Sequence, residues 1–444
     1  MLYVDFASAQ QAVPQSVSPG QLEKRFERAA EPKGEFLPVI PLPEKRLPGE
    51  EAEKIKFVLG GAVIVGSTVY KPEQLLPLYE DLIAQKISLA DMYAVADKIA
   101  EKYKADGYLL TEAVIPPQNA EFGIVRIEIV EALVVEVTLR GEVKGNQSLL
   151  RALGQKIAAS KPLRRDALER YILLINDLPG VSAKPNVTPI AGQRGSFAMT
   201  IDITHDFAAG QVNFDNRGSK SVGAFQLLGV ASLNSLLGNY ESINLVGVET
   251  TQFQELQYGS VEYAHPLGAE GTVVSVSAWY NMSEPGGQFA DRDIDSTGRQ
   301  FALAVRHPII RAPKEFLQIS GRFEMSRYAT EETGTITSKD RTRVVRAALS
   351  YALTDAEGSS TRLGAGLSQG LNIFNARESG SVNLSVTNGR SDFTKATLQG
   401  SRQQTLGFGF SVLGAFTGQY AASSLLSSEQ FAFGGSQLSY GQKW

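Results

Sequence analysis

The sequence has no cysteine and only three histidines, His205, His265 and His307, in 444 residues. The missing cysteine removes disulfides, thiolate metal sites and a thiol nucleophile together, and three scattered imidazoles do not make a metal centre. No run of about 18 apolar residues occurs, because candidates such as Gly61-Ala62-Val63-Ile64-Val65-Gly66 are short and interrupted, so a spanning helix is excluded. Neither sign of charge dominates. With 43 basic against 47 acidic residues no polyanion-binding surface is announced, and nucleic acid is not expected as a partner. A P-loop is also missing, which leaves no expectation of a nucleotide. If this chain enters a membrane, it does so as strands.

A chain of this length predicts roughly two to four domains. Ala7-Ser8-Ala9 has the small-x-small form of a signal-peptidase site without a basic or fully apolar stretch before it. That is either chance or the end of a longer leader, and the secreted character of the rest of the chain favours the second, so residues 1–17 read as a signal-peptide remnant or disordered segment. Residues 18–31 form a short helix candidate with Leu22 and Phe26 on one side and Lys24, Arg25 and Arg28 elsewhere. Residues 32–52 carry Pro32, Pro38, Pro41, Pro43 and Pro48, the composition of a stiff tether.

Residues 53–132 then read as strand, two helices, two strands. IKFVL opens the unit, Pro72–Ala84 is a first helix, and Ser88 caps a second with Asp91 in the capping-box position and Gly107 as the stop. LLTEAVIPPQ and GIVRIEIVEA come next as strands. Residues 133–205 repeat the order without repeating the sequence: LVVEVTLRG, helices from about Asn146 to Ala159 and from Arg165 to Asp177, then VSAKPNVTPI and SFAMTIDIT. Two tandem β-α-α-β-β units account for this.

From residue 206 onward helical periodicity gives way to alternation. Leu317, Ile319, Phe323 and Met325 point one way while Gln318, Ser320, Arg322, Glu324 and Ser326 point the other. The same period of two runs through Val345, Ala347, Leu349, Tyr351 and Leu353, through Leu363, Ala365, Leu367, Leu371 and Ile373, and through Phe408, Phe410, Val412 and Phe416. About eleven such segments of roughly ten residues have the length and alternation of transmembrane barrel strands with a polar lumen. A soluble sandwich would also alternate, but short turns such as Pro266-Leu267-Gly268 alternating with long polar loops at 281–297 and 327–342 favour the barrel.

This order of parts resembles the outer-membrane transporters of two-partner secretion, the filamentous-haemagglutinin and haemolysin secretion proteins of the Omp85 superfamily. Asp215-Asn216-Arg217-Gly218-Ser219, with Gly223 beyond it, looks like the family's barrel-start motif. Glu429-Gln430-Phe431, followed by Phe433, Gly434 and Gly435, looks like the opening of its long inward-folded loop, with Tyr440 and Gly441 at the tip. The resemblance implies a plug helix at 18–31, periplasmic POTRA domains at 53–132 and 133–205, and an antiparallel transmembrane β-barrel from 206 to 444 of about eleven strands out of sixteen. Leu438-Ser439-Tyr440-Gly441-Gln442 lacks the arginine that the family places at the loop tip, and the chain reads as a truncated product or a fragment.

The implied activity is export of an unfolded exoprotein, recognised through its N-terminal secretion domain, by POTRA domains in the periplasm and a pore among outer-membrane lipid. It uses no nucleotide and no cofactor. An assembly factor that inserts other barrels, or a non-functional remnant, are the alternatives. Capture by β-augmentation would use residues 108–117 or 181–190, with Leu109, Leu110, Val181, Ala183 and Val187 as candidate contacts, although Pro116, Pro117, Pro185 and Pro189 interrupt both ladders. An enzyme is not expected. Gly366-Leu367-Ser368-Gln369-Gly370 fits a nucleophile elbow, but that motif needs a strand-to-helix turn and a later histidine, and no histidine comes after His307. His265-Pro266 and His307-Pro308 read as turn positions.

Overall fold

The computed structural model describes residues 47–141, 145–216, 218 and 220–431. The expected plug helix with Leu22, Lys24, Arg25, Phe26 and Arg28, most of the linker, Ser219, and the loop residues Phe433, Gly434, Gly435, Tyr440 and Gly441 lie outside the described residues. The chain divides into one compact unit ending at His205 and another beginning at Asp206.

In the first, α1 (Gly49–Lys54) starts directly after Pro48 and buries Ala52. The expected linker to residue 52 therefore ends sooner, because its last proline stands before a stretch free of them. β1 (Lys56–Val58), the expected opening strand, pairs among the described residues only with β3 (Lys86–Ser88). The main sheet is instead built from β2 (Gly61–Val65), β5 (Ile124–Val130) and β4 (Glu112–Val114) in the order β2-β5-β4. The expected helix at 72–84 is broken into a helical turn at Pro72–Leu75 and two 3₁₀ turns, since Pro77 offers no amide donor and Tyr79 leaves the helical region at φ −145°.

Helix α2 (Leu89–Ala105) begins where its capping box dictates. Ser88 Oγ accepts from Asp91 N at 3.2 Å, and Asp91 Oδ2 accepts from Ser88 N at 2.8 Å. Met92, Val95, Ala96, Ile99 and Tyr103 recur at helical spacing and are buried against Val125, Ile127 and Ile129 of β5. The expected strand LLTEAVIPPQ shrinks to the three residues of β4: Leu109 and Leu110 sit in the turn before it, and Pro116-Pro117 end the ladder.

The second half of this unit comprises β6 (Leu133–Gly141), α3 (Gln147–Ala158), α4 (Arg165–Asn176), β7 (Val181–Pro189) and β8 (Ser196–His205). Its sheet order, β6-β8-β7 with β6 parallel to β8, repeats β2-β5-β4, so the β-α-α-β-β topology occurs twice. Asn146 caps α3 by accepting from Ser148 N at 3.0 Å.

Beyond Asp206, eleven antiparallel strands form one sheet in sequence order: β9 (Ala208–Asp215), β10 (Gln226–Asn234), β11 (Ser242–Thr250), β12 (Gln257–Leu267), β13 (Thr272–Ser283), β14 (Ile294–Arg311), β15 (Glu315–Glu332), β16 (Thr335–Thr354), β17 (Ser360–Gly370), β18 (Thr394–Gly407) and β19 (Phe410–Ala421). It is an incomplete barrel in this chain: β9 and β19 each have one strand neighbour among the described residues. The apolar set faces outward, with Phe301, Leu303, Val305, Ile319, Val345, Leu349 and Leu363 all more than 40 % exposed. Such an inverted surface suits hydrocarbon rather than water.

Three expectations need correction here. The segment 327–342 is no loop but the tip of a hairpin, in which β15 and β16 continue to a tight turn at Thr333-Gly334; it is polar on both faces, which hid the strands. Leu371 and Ile373 lie past the end of β17 at Gly370, so their alternation is fortuitous. His307-Pro308 lies within β14, where a bulge between Pro308 and Ile310 accommodates the missing amide donor.

Candidate functional site

Backbone chemistry decides what a sheet edge can capture, and β7 is an edge. Ala183 donates its amide to Asn176 Oδ1 at 2.8 Å and accepts from Asn176 Nδ2 at 3.2 Å, so it turns away from β8. By the two-residue period, positions 181, 185, 187 and 189 turn the same way. The amide of Val181 is taken by Leu178 O at 3.1 Å, and Pro185 and Pro189 have none. Val187 alone keeps an outward amide for a partner. The side chains of Val181, Ala183 and Val187 are buried, so a partner strand would meet main chain there and not these groups.

Leu109 and Leu110 are placed differently. With Leu163, Arg164, Leu168 and Val187 they line a small cleft where the two halves of the N-terminal unit meet. The junction is fixed by main-chain bonds, Arg165 N to Gly107 O and Leu163 N to Ala132 O, both 2.8 Å. Arg164 lies over the Tyr108 ring at 5.6 Å and clamps Asp166 with two bonds of 3.0 and 2.9 Å. That guanidinium holds the Asp166 carboxyl below its ordinary range against the opposing effect of burial.

Asp215 and Asn216 close β9, and Gly218 donates to Ala224 O at 3.2 Å to fold the connection back on itself. A Cβ on Gly218 would strike Gly223 O, and one on Gly223, at φ +87°, would strike the Thr250 side chain. Gly218 and Gly223 thus allow close backbone approach in the β9–β10 connection, and Val222 of that connection is buried with Val248 and Leu256.

The inner wall carries the most concentrated chemistry. Register places Arg322, Arg346, Ser368 and Lys395 in one row across β15 to β18. Like charges on neighbouring strands repel, and Glu324 offsets this by bonding Arg322 at 2.8 Å and Arg346 at 2.9 Å. Glu429, on the 3₁₀ turn Ser427–Glu429 after β19, completes the set. Its carboxylate accepts from Arg346 at 2.6 and 3.2 Å and pairs with Lys395, while its carbonyl accepts from Lys395 Nζ at 3.2 Å and Gln419 Nε2 at 3.3 Å. Both Glu429 and Lys395 side chains are 6 % exposed. A carboxylate so deeply desolvated requires such partners.

The segment bearing Glu429 is tied from its other side as well. Ser427 N donates to Ser385 Oγ at 3.0 Å, and Ser385 N donates to Asp340 Oδ1 at 3.1 Å. Ser368 lies within β17, two residues before its end, and accepts from Arg346 Nη1 at 2.9 Å, so it is a rung of this row and not a strand-to-helix nucleophile elbow. Sequence reasoning named Glu429 only as part of a motif and did not single out Arg346 or Lys395. Their signal was a charge at an inward position among Ser, Gly and Gln.

The fold and inner wall define an outer-membrane strand protein carrying periplasmic modules, and the comparisons give its family. Residues 203–437 match the haemolysin secretion/activation protein family ShlB/FhaC/HecB, and residues 57–132 match a ShlB-type POTRA domain. The first match covers more than half of the chain, which therefore belongs to that family of two-partner secretion transporters. The heme/hemopexin transporter protein HuxB of Haemophilus influenzae strain 86-028NP is 24 % identical over 93 % of this chain and 73 % of its own length. The outer membrane transporter CdiB of Escherichia coli O6:K15:H31 is 24 % identical over 52 % of this chain, which spans only 38 % of that relative. A solved structure of CdiB from Escherichia coli shares the fold with a TM-score of 0.67 and 18 % identity, covering 96 % of this chain and 74 % of that one.

Proposed function

We propose that this chain captures an unfolded exoprotein in the periplasm and guides it along the inner wall of its sheet to the cell exterior without nucleotide hydrolysis. The observation that carries this reading is the sheet's division into an apolar outer face and an ion-paired inner face, joined in one chain to a POTRA domain. Residues 133–205 serve as a second POTRA domain, since they repeat the first one's topology. Capture falls on the first domain and the cleft at Leu109 and Leu110, because Asn176 and two prolines leave β7 a single outward amide donor. The exoprotein is recognised by its main chain and a few apolar side chains, which tolerate many sequences. No catalysis is assigned: Ser368 is committed to Arg346. The residues expected to form a plug, Leu22 to Arg28, and the loop residues Phe433 to Gly441 keep those roles within this proposal.

The test is secretion. Deleting the gene should abolish release of a large exoprotein whose N-terminal domain cross-links to residues 47–205, and leave other outer-membrane proteins at their normal levels. Unchanged release, or a general loss of outer-membrane proteins instead, would reject the transport reading.

A further inference from the structure

The row on the inner wall holds three cations, Arg322, Arg346 and Lys395, and among the described residues the strands set one carboxylate against them, Glu324 on the neighbouring rung. The second carboxylate comes from a separate segment, 422–431, that reaches the wall through the turn at Ser427–Glu429. Removing that segment would take away the carboxylate that Lys395 and one side of Arg346 share. The wall groups meeting Glu429 also take two features of one residue, its carboxylate and its own carbonyl oxygen. Any acidic residue of an unfolded chain carries the same two acceptors, and one held in a turn like Ser427–Glu429 presents them together.

We propose that Arg346, Lys395 and Gln419 form a subsite for acidic residues of an extended polypeptide, and that Glu429 fills it as an internal ligand until segment 422–431 leaves. The subsite rests on the transport reading for its natural ligand, the chain in transit. Its chemistry does not depend on that reading. Arg346 bridges the internal and external roles: it keeps one bond to Glu324 at 2.9 Å and offers the other face of its guanidinium to whichever carboxylate occupies the site. Exchange of one carboxylate for another leaves the buried charge unchanged, so the departing segment need not expose bare cations.

The experiment uses the full chain refolded in detergent micelles, with refolding verified by circular dichroism and trypsin resistance. A fluorescein-labelled hexaglutamate is the probe and hexaglutamine the control, read by fluorescence anisotropy. E429Q should bind hexaglutamate about tenfold more tightly than the wild type, the equivalent of roughly one buried charge contact. Adding R346Q and K395Q to E429Q should remove that binding, whereas R299Q on the outer face should not. Equal affinity of wild type and E429Q, or binding that survives R346Q/K395Q, would overturn the subsite.

Should E429Q fail to refold, the chain's lack of cysteine allows a single spin label at S424C, an exposed position of the same segment. Hexaglutamate should then raise the mobile fraction of the label in the otherwise wild-type chain, and a spectrum that hexaglutamate leaves unchanged would equally overturn the proposal. Neither measurement reads secretion. A variant that secretes nothing yet binds hexaglutamate as expected counts against the transport reading alone.

Discussion

β7 and β14 alternate with the same period and hide opposite halves of their sequences. In β7 the apolar Val181, Ala183 and Val187 are buried while Ser182, Lys184 and Asn186 are exposed. In β14 it is Phe301, Leu303 and Val305 that are exposed, and Gln300 and Ala302 that are buried. Strand propensity cannot produce this reversal, since both segments satisfy the same pleat. The solvent does: water selects the first pattern and hydrocarbon the second. Buried polar groups must then find partners, and the Arg322–Glu324–Arg346–Glu429–Lys395 chain is the result on the inner wall.

The largest effects that test this contrast lie in the N-terminal unit's core. Residues 47–205 expressed alone should unfold cooperatively in urea. Ile127→Ala, at a fully buried position of β5, should lower that stability by about 2–5 kcal/mol. The corresponding truncation Leu303→Ala on the outer face of β14, measured in lipid vesicles, should cost far less, because lipid tails fill the space. Comparable losses at the two positions would break the comparison.

A charge sharpens the contrast from the other side. Leu349→Arg on the outer face of β16 should destabilise the sheet in vesicles by about 2–4 kcal/mol if it sits near the bilayer midplane. Ser350→Arg, one residue along and facing inward, should change it little. If both arginines cost the same in urea titrations, β16 does not separate lipid from lumen.

Alternation made β7 and β15 legible without coordinates, and Ser88-x-x-Asp91 marked the start of α2 because the capping box is a local device. Other elements depended on what the chain folds against. IKFVL looks like a sheet strand but pairs among the described residues only with β3, since GAVIV, two residues further on, takes the place beside β5. The β15–β16 tip reads as a loop because polar residues line both its faces. At the inner wall, Arg322 and Glu324 were visible as inward charges. The partnership of Arg346 with Glu429, 83 residues apart, is set by strand register and by the path of segment 422–431, neither of which is written locally.

The smallest effect concerns the local device itself and the region that water solvates. Ser88→Ala should cost the 47–205 unit about 1 kcal/mol by removing the N-cap acceptor. Hydrogen bonds from the Ser88 amide and hydroxyl hold the Asp91 carboxyl below its ordinary value. A carboxyl depressed in the folded state contributes stability that is fully present above the unfolded value near 4 and is lost as pH falls through the lower folded value. Asp91→Asn keeps an oxygen acceptor but removes the charge. Urea midpoints of the two proteins should therefore differ most above about pH 4 and converge as the solution is acidified below it. Parallel curves across that window would mean that the Ser88–Asp91 contact orders the start of α2 without any contribution from its charge.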